Sequence, residues 1–136
     1  MTAKTPHAID CWHDMMARGT TDGLNDLLHP DCVFWSPVVH TPQQGRDITF
    51  LYLSAAGQVF DADFHYVREV RDEDNAMLEF ECTMDGVHVN GIDLIKVKDN
   101  LIVEFKVMVR PLKAVNKVHE RMMAMLEVIK SQAPRQ

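Results

Sequence analysis

Asp93 is the residue whose setting in this sequence most clearly indicates chemistry. It stands in an alternating strand pattern, and the residues that share its face, Val87, Val89, Ile95 and Val97, are apolar. A carboxylate on an apolar face is costly to bury in its charged form, so it must be paired, hydrogen-bonded or protonated. Two interpretations stay open. Asp93 is either a pocket carboxyl with a raised pKa, or a structural ion pair or hydrogen-bonded core residue.

Arg110, Trp12 and Trp35 are side chains that could join such a site. Arg110 ends a strand and could clamp an anion or pair with Asp93. Strict alternation places Arg110 on the opposite face from Val109. The alternative interpretation of Arg110 is therefore a salt bridge in solvent or at an interface. Trp12 lies on the apolar face of a helix and is expected in the core, although its buried indole N–H needs a partner and could donate into a pocket. Trp35 could line a cavity.

Histidine and serine give weaker signals. None of the seven histidines stands at a motif spacing from a carboxylate or cysteine. His40, in a proline-containing loop, could act as a general base at a pocket mouth, whereas His88 is expected on the surface. Ser36 has no nucleophile-elbow context, so a turn role before Pro37 is the favoured interpretation.

Helices at both ends and a meander of strands between them must position these residues. Apolar spacing predicts a helix capped by Thr5 and ended by Gly19, a short helix capped by Thr21 or Asp22 and ended by Pro30, and helices over 46–59 and 112–131. Alternation predicts strands over 32–36, 64–70, 76–84, 87–97 and 101–110, with a loop over 37–45. The odd residues Val103 to Val109 are expected to form the apolar face of the last strand. This order indicates an α+β domain with helices on one face of a curved sheet.

Length and composition exclude several classes of protein. A chain of 136 residues with 46% hydrophobic residues fits one globular domain and is too apolar for disorder. No apolar run reaches the roughly 20 residues of a membrane span. The net charge of −6, without a basic stripe, argues against a nucleic-acid partner. Three widely spaced cysteines favour a reducing cytoplasm, and neither a metal site nor a cofactor is expected.

Four short strings then indicate a family. They are FWSP at 34–37, GRD at 45–47, GIDLIKV at 91–97 and VMVRPL at 107–112. In order and spacing they resemble the nuclear transport factor 2-like superfamily, in particular its SnoaL-like members. The resemblance covers nearly the whole chain and implies one domain over 1–136 with a cystatin-like α+β fold. Such a fold is a conical barrel, a strongly bent and mostly antiparallel sheet with helices over its concave face and a cavity inside. A homodimer is implied as well.

Local alignment with ketosteroid isomerase, another member of this superfamily, implies roles for three positions. Asp93 falls where that enzyme has a neutral acid in its oxyanion hole, and Trp12 falls where it has a tyrosine. Ser36 falls where it has an aspartate general base. Because serine cannot shuttle protons between carbons at neutral pH, ketosteroid isomerisation by that mechanism is not expected here.

The resemblance therefore implies a pocket for a small hydrophobic carbonyl or hydroxylated ring compound, with isomerase, cyclase or dehydratase-type chemistry. Asp93 would be the acid/base or oxyanion donor and Trp12 an auxiliary donor. The expected binding residues are Trp35, Ser36, His40, Tyr66, Phe80, Met108 and Arg110. The alternative is a non-catalytic ligand-binding or dimerisation module in which Asp93 is structural and the outer sheet face pairs with another subunit. The missing base at Ser36 favours this alternative, so whether the protein is an enzyme stays open.

Overall fold

Helices flank a meander of strands in the computed structural model, which describes residues 6–60 and 63–132. The helices are α1 (Ala8–Arg18), α2 (Leu24–Leu27), α3 (Arg46–Val59) and α4 (Leu112–Gln132). The strands are β1 (Leu28–Trp35), β2 (Gln43–Gln44), β3 (His65–Arg71), β4 (Asn75–Met84), β5 (Val87–Lys98) and β6 (Leu101–Arg110). The predicted α+β class is confirmed.

The strands form one curved, open sheet in the order β2-β1-β6-β5-β4-β3. β1 runs parallel to β6, and every other neighbouring pair is antiparallel. β3 is therefore an edge strand, and β5 lies two strands inward from it. This arrangement is the bent, mostly antiparallel sheet that the sequence predicts.

The core lies between the concave face of this sheet and the helices. One cluster of buried side chains joins α1, α2 and β1 to β4, β5 and β6. A second cluster joins α3 and α4 to β4 and β5. Tyr52, Tyr66 and Val107 pack against both clusters, so the two parts of the core meet around these three side chains.

The helix ends show how local sequence sets the boundaries. α1 is capped by His7, whose Nδ1 accepts a hydrogen bond from the Ile9 N–H, and the predicted cap Thr5 lies outside the described residues. Gly19 ends α1 as predicted, with a left-handed φ of 65° that glycine adopts without strain. The predicted caps of α2 are wrong, because Gly23 occupies that position. α3 has the predicted bounds.

The first strand begins earlier than predicted. β1 starts at Leu28 rather than at residue 32 and runs through Pro30. Its pairing with β6 is interrupted between Leu28 and Val33, and proline is tolerated in a strand at such an irregularity. The predicted loop over 37–45 contains β2, which pairs with β1.

A bulge in β6 changes the face of its first residues. Lys96 lies opposite Glu104, but the next residue of β5, Val97, lies opposite Ile102. The extra residue, Val103, is half-buried, while Ile102 is fully buried. The predicted apolar face is therefore wrong at Val103, because alternation does not continue through a bulge.

A second bulge lies in β3. Tyr66 lies opposite Phe80, and Arg68, two residues on, lies opposite the adjacent Glu79. Because directly opposed residues share a face, Glu69, opposite the buried Leu78, is on the concave side with Tyr66. Strict alternation from Tyr66 would place Glu69 on the convex side.

Among the described residues, no helix is both long and apolar enough to cross a membrane.

Candidate functional site

Asp93 lies in the middle of β5, with Leu78 of β4 on one side and Val107 of β6 on the other. It is 5% exposed and shares the concave face with the buried residues Val89 and Ile95, as the sequence predicts. Asp93 and Thr49 are the only buried polar side chains among the described residues. The carboxyl group is thus held in the core.

Two aromatic side chains connect Asp93 to α1. The Tyr66 hydroxyl donates to Oδ2 of Asp93 at 2.7 Å. The same hydroxyl accepts from Nε1–H of Trp12 at 2.9 Å. Trp12 is 5% exposed, and its ring packs on Phe105 with centroids 4.9 Å apart. Helix α1, edge strand β3 and central strand β5 therefore converge on one buried hydrogen-bond relay.

Burial sets the protonation of this relay. Desolvation raises the pKa of the Asp93 carboxyl to about 7, against the opposing effect of the Tyr66 hydrogen bond. Burial, and then the negative charge on Asp93, raise the pKa of Tyr66 well above its ordinary value. Tyr66 is therefore a neutral donor at physiological pH, and the Asp93 carboxyl gains or loses its proton near neutrality.

Arg110 is not the partner of Asp93. It extends from the convex face, where its Nε–H donates to Oδ1 of Asn90 at 2.9 Å. Arg68 also lies on that face and pairs with Glu79 at 3.4 Å. Asp93 makes no ion pair among the described residues. Its carboxyl is hydrogen-bonded to Tyr66 and has a raised pKa, so the pocket carboxyl and the hydrogen-bonded core residue both stay open as interpretations.

An aromatic wall borders Tyr66 on the side of α3 and α4. Phe64 stacks on Phe80 with centroids 5.0 Å apart and meets Tyr66 edge-on at 5.2 Å. Phe60 contacts both phenylalanines. The Phe80 ring occupies the space that a side chain at Gly91 would fill, since a Cβ there would lie 2.5 Å from it. Tyr66 thus contacts Asp93, and Phe80 lies opposite Gly91 on the same concave face, while their predicted role in binding a substrate stays a prediction.

Trp35 and Met108 are placed elsewhere. Trp35 lies opposite Lys106, whose Nζ is 4.7 Å from the indole centroid on the convex face. Met108 lies on that same face and is 46% exposed. The structure does not bring these two side chains, or Arg110, to Asp93.

Ser36 and His40 lie after β1. The Ser36 hydroxyl accepts from the backbone N–H groups of Val38 at 3.1 Å and Val39 at 3.3 Å, which confirms its turn role. His40 is exposed in the following loop. No contact in the described part of the chain joins either side chain to Asp93.

Two open clefts lie on the convex side of the sheet, with volumes of about 670 and 610 Å³. Lys96 and Glu104 line both of them. Neither is lined by Asp93, Tyr66 or Trp12. The predicted pocket around Asp93 therefore stays a prediction.

Comparison with known proteins identifies the fold and the family. The model of the SnoaL-like domain matches residues 9–105. The chain belongs to the SnoaL-like family. A comparison with curated proteins finds no match.

Solved structures of SnoaL-like and related folds agree. A steroid delta-isomerase from Pseudomonas aeruginosa has a TM-score of 0.87 at 35% identity, over 91% of this chain and 92% of that one. A bacterial protein with a cystatin-like fold from Silicibacter pomeroyi has a TM-score of 0.79 at 31% identity, over 86% and 83%. A protein from Sinorhizobium meliloti that is named as a polyketide cyclase shares the fold, with a TM-score of 0.60 at 19% identity over 76% of this chain and 95% of that one.

Sequence reasoning missed one pair in this SnoaL-like chain. Nε2 of His13 lies 2.5 Å from Oε1 of Glu69, although 56 residues separate them. The His13 ring stands perpendicular to Tyr66 with centroids 5.4 Å apart. One signal could have found it: Arg68, a charged residue, stands where alternation from Tyr66 requires an inward side chain, and this indicates the bulge.

Proposed function

We propose that the protein binds and transforms a small hydrophobic carbonyl or hydroxylated ring compound by acid/base chemistry of the isomerase, cyclase or dehydratase type. The observation that carries this proposal is the buried relay from Trp12 through Tyr66 to Asp93. A buried carboxylic acid at the end of such a relay is suited to donate a hydrogen bond to an oxygen that gains negative charge.

The relay supports one oxygen of Asp93 as the donor. Tyr66 donates to Oδ2 of Asp93, so in this proposal the protonated acid carries its proton on Oδ1 and donates it to the substrate oxygen. Tyr66 and Trp12 hold the carboxyl group of Asp93 in place. The Tyr66 O–H and Trp12 N–H dipoles stabilise the negative charge that Asp93 gains as the substrate becomes an enolate. Asp93 is the catalytic residue of this proposal, while Tyr66 and Trp12 are positioning residues.

The wall of Phe60, Phe64 and Phe80 supports a ring compound as the ligand. These three rings make stacked and edge-on contacts with one another, and aromatic side chains pack against the rings of a ligand in the same geometries. The similar protein from Pseudomonas aeruginosa is named as a steroid isomerase, which supports a fused-ring ketone as the first class of compound to test.

Binding of 2-naphthol tests the proposal, because its phenolate resembles the enolate of a bicyclic ketone and its fluorescence reports binding. We expect binding that weakens as pH rises through about 7, where Asp93 becomes charged. In Asp93→Asn, affinity should fall about tenfold or more at pH 6, and its pH dependence should disappear. Glu104→Gln, a carboxylate change on the convex face, is the matched control. Unchanged affinity in Asp93→Asn would contradict the proposal.

Assembly of two copies through the convex face is the second candidate function. Met108 and Val70 expose apolar surface there, 46% and 61% respectively, and the buried Nε1 of Trp35 has no hydrogen-bond partner among the described residues. Covering this face by a second copy would remove apolar area from water. The proposal places this homodimer in the cytoplasm, which the three separated cysteines favour.

Light scattering at micromolar concentrations tests the dimer. We expect a dimer in the unmodified protein and dissociation in Met108→Asp. Met123→Asp is the matched control, because Met123 is equally exposed but lies on α4. A strict monomer across the concentration range would contradict the dimer.

A further inference from the structure

We propose that His13, oriented by Glu69, is the general base that works with Asp93. The proposal rests on the proposed function and supplies the group that it lacks. Ser36 cannot remove a proton from carbon, and its hydroxyl is engaged in a turn. His13 would take the proton from the carbon next to the carbonyl that Asp93 polarises.

The β3 bulge brings the pair to the site. Glu69 lies opposite Leu78, and Leu78 lies opposite Asp93, so the two acidic residues occupy one row of the concave face. Two strand spacings separate their Cα atoms, roughly 10 Å. The proposal places the substrate between Asp93 and His13, with its carbonyl oxygen at Asp93 and the carbon next to the carbonyl toward His13.

Two adjacent residues of helix α1 take part in the proposed site. Trp12 donates to Tyr66, and the next residue, His13, packs its ring against the same tyrosine. Trp12 therefore positions the acid Asp93 through Tyr66, and the neighbouring residue His13 is the base. His13 and Glu69 have side chains 33% and 35% exposed, so both can be reached from solvent.

Glu69 sets the tautomer of His13. A carboxylate that accepts from Nε2–H keeps the proton on that nitrogen and leaves Nδ1 with a lone pair. Nδ1 has no hydrogen-bond partner within residues 6–60 and 63–132, so it is available to accept a proton. Glu69 acts through His13 and is a positioning residue.

Arg71 holds Glu69 in turn. Its Nη1 lies 3.5 Å from Oε2 of Glu69, and its Nη2–H donates to Oδ1 of Asp10 on α1 at 2.8 Å. The guanidinium thus links Glu69 on β3 to Asp10 on α1. The charged and titratable groups around His13 are thus Glu69, Arg71 and Asp10, with Asp93 behind Tyr66.

The proton transfer balances without any further reactant. The C–H bond next to the carbonyl breaks, its proton moves to Nδ1 of His13, and its electron pair forms the C=C bond of an enolate. The carbonyl π pair moves onto oxygen, which takes the hydrogen bond from Asp93. Return of the proton to the same carbon gives exchange. Where the substrate also has a C=C bond next to that carbon, the enolate is a dienolate, and return of the proton to its far carbon gives an isomer.

Exchange of hydrogen for deuterium in 2-tetralone, followed by NMR in D2O, tests the base. We expect the protein to accelerate this exchange and His13→Gln to slow it about 100-fold or more, the range for loss of a general base. Glu69→Gln should slow exchange less and change its pH profile. His88→Gln is the matched control, because His88 forms a similar pair with Glu81, at 3.5 Å, on the convex face. Circular dichroism and 2-naphthol binding establish that each variant is folded with its Asp93 site intact.

The outcomes separate the two proposals. Asp93-dependent 2-naphthol binding together with equal exchange by His13→Gln and the unmodified protein would overturn the base and leave the proposed function standing. No exchange by the unmodified protein, or an equal loss in His88→Gln, would overturn the base as well. Binding that does not depend on Asp93 would count against the proposed function itself.

Discussion

The Tyr66 hydroxyl lies 2.7 Å from Oδ2 of Asp93 and joins the edge strand of the sheet to a strand two positions inward. The contact crosses β4, which lies between the two strands and carries Phe80 and Leu78 on its concave face. It lies where the two clusters of the core meet, since Tyr66 packs against both. The only buried acidic side chain among the described residues is thus held at the junction of the core.

The pKa of Asp93 makes stability depend on pH. The carboxyl titrates near 3.8 in the unfolded chain and near 7 in the folded protein, so the folded state binds more protons between these values. Stability from this group is complete below about pH 4 and falls as pH rises to about 7, by about 4 kcal/mol at most. Asp93→Asn should remove this fall. Urea unfolding at pH 5 and pH 8 measures it.

Glu104→Gln is the control for this experiment, because the pH dependence should be unchanged when a convex-face carboxylate is removed. If Asp93→Asn and the unmodified protein lose the same free energy of unfolding between pH 5 and pH 8, the assignment of a raised pKa is wrong.

Tyr66→Phe keeps the ring but removes the centre of the relay. The Trp12 N–H and Oδ2 of Asp93 both lose their partner, and an unpaired buried polar group costs about 1–3 kcal/mol. The pKa of Asp93 should rise further, because the Tyr66 hydrogen bond lowers it. Chemical denaturation and an NMR titration measure the two effects. A variant as stable as the unmodified protein would mean that the hydroxyl makes no such bonds.

Gly91→Ala tests the close packing beneath the aromatic wall. The added Cβ would lie 2.5 Å from Cζ of Phe80 and 2.6 Å from the backbone oxygen of Met108. Overpacking of this kind costs about 1–3 kcal/mol or more, so we expect clear destabilisation in thermal unfolding.

Gly57→Ala is the matched control. Gly57 lies in α3 with open space around its Cα, and alanine there should raise helix stability by up to about 1 kcal/mol. Equal effects at Gly57 and Gly91 would contradict the packing at β5.

The bulge in β6 predicts unequal effects for two adjacent truncations. Ile102→Ala should cost about 2–5 kcal/mol, because Ile102 is fully buried. Val103→Ala should cost much less, since Val103 is half-buried and lines a convex cleft. Denaturant titration of the two variants measures both costs. A larger cost for Val103→Ala than for Ile102→Ala would indicate that alternation continues through β6 without a bulge.

Much of the fold follows from the sequence because periodicity is a local property. α3 and β6 begin and end where the apolar pattern begins and ends. The inward face of Asp93 followed from alternation alone, since β5 is regular around it. Its hydrogen bond with Tyr66 could not be predicted from alternation, because Tyr66 belongs to a strand that only the tertiary structure brings near Asp93.

The bulges mark where prediction from sequence ends. A one-residue shift reverses the face of every residue beyond it, so Glu69 turns inward and Val103 turns away. His13 and Glu69 could not be paired from their spacing, because the contact depends on that shift and on where α1 crosses β3. Trp35 and Met108 lie on the convex face, where strand alternation from the buried residues Phe34 and Phe105 places them, so their predicted place in the pocket conflicts with the alternation itself.

The most direct measurement of the central claim is an NMR titration of the Asp93 side-chain carboxyl carbon in the intact protein. The buried relay predicts a midpoint near 7, with the carboxyl still protonated at pH 5. A midpoint at or below 4 would show an ordinary or ion-paired carboxylate and would contradict the account.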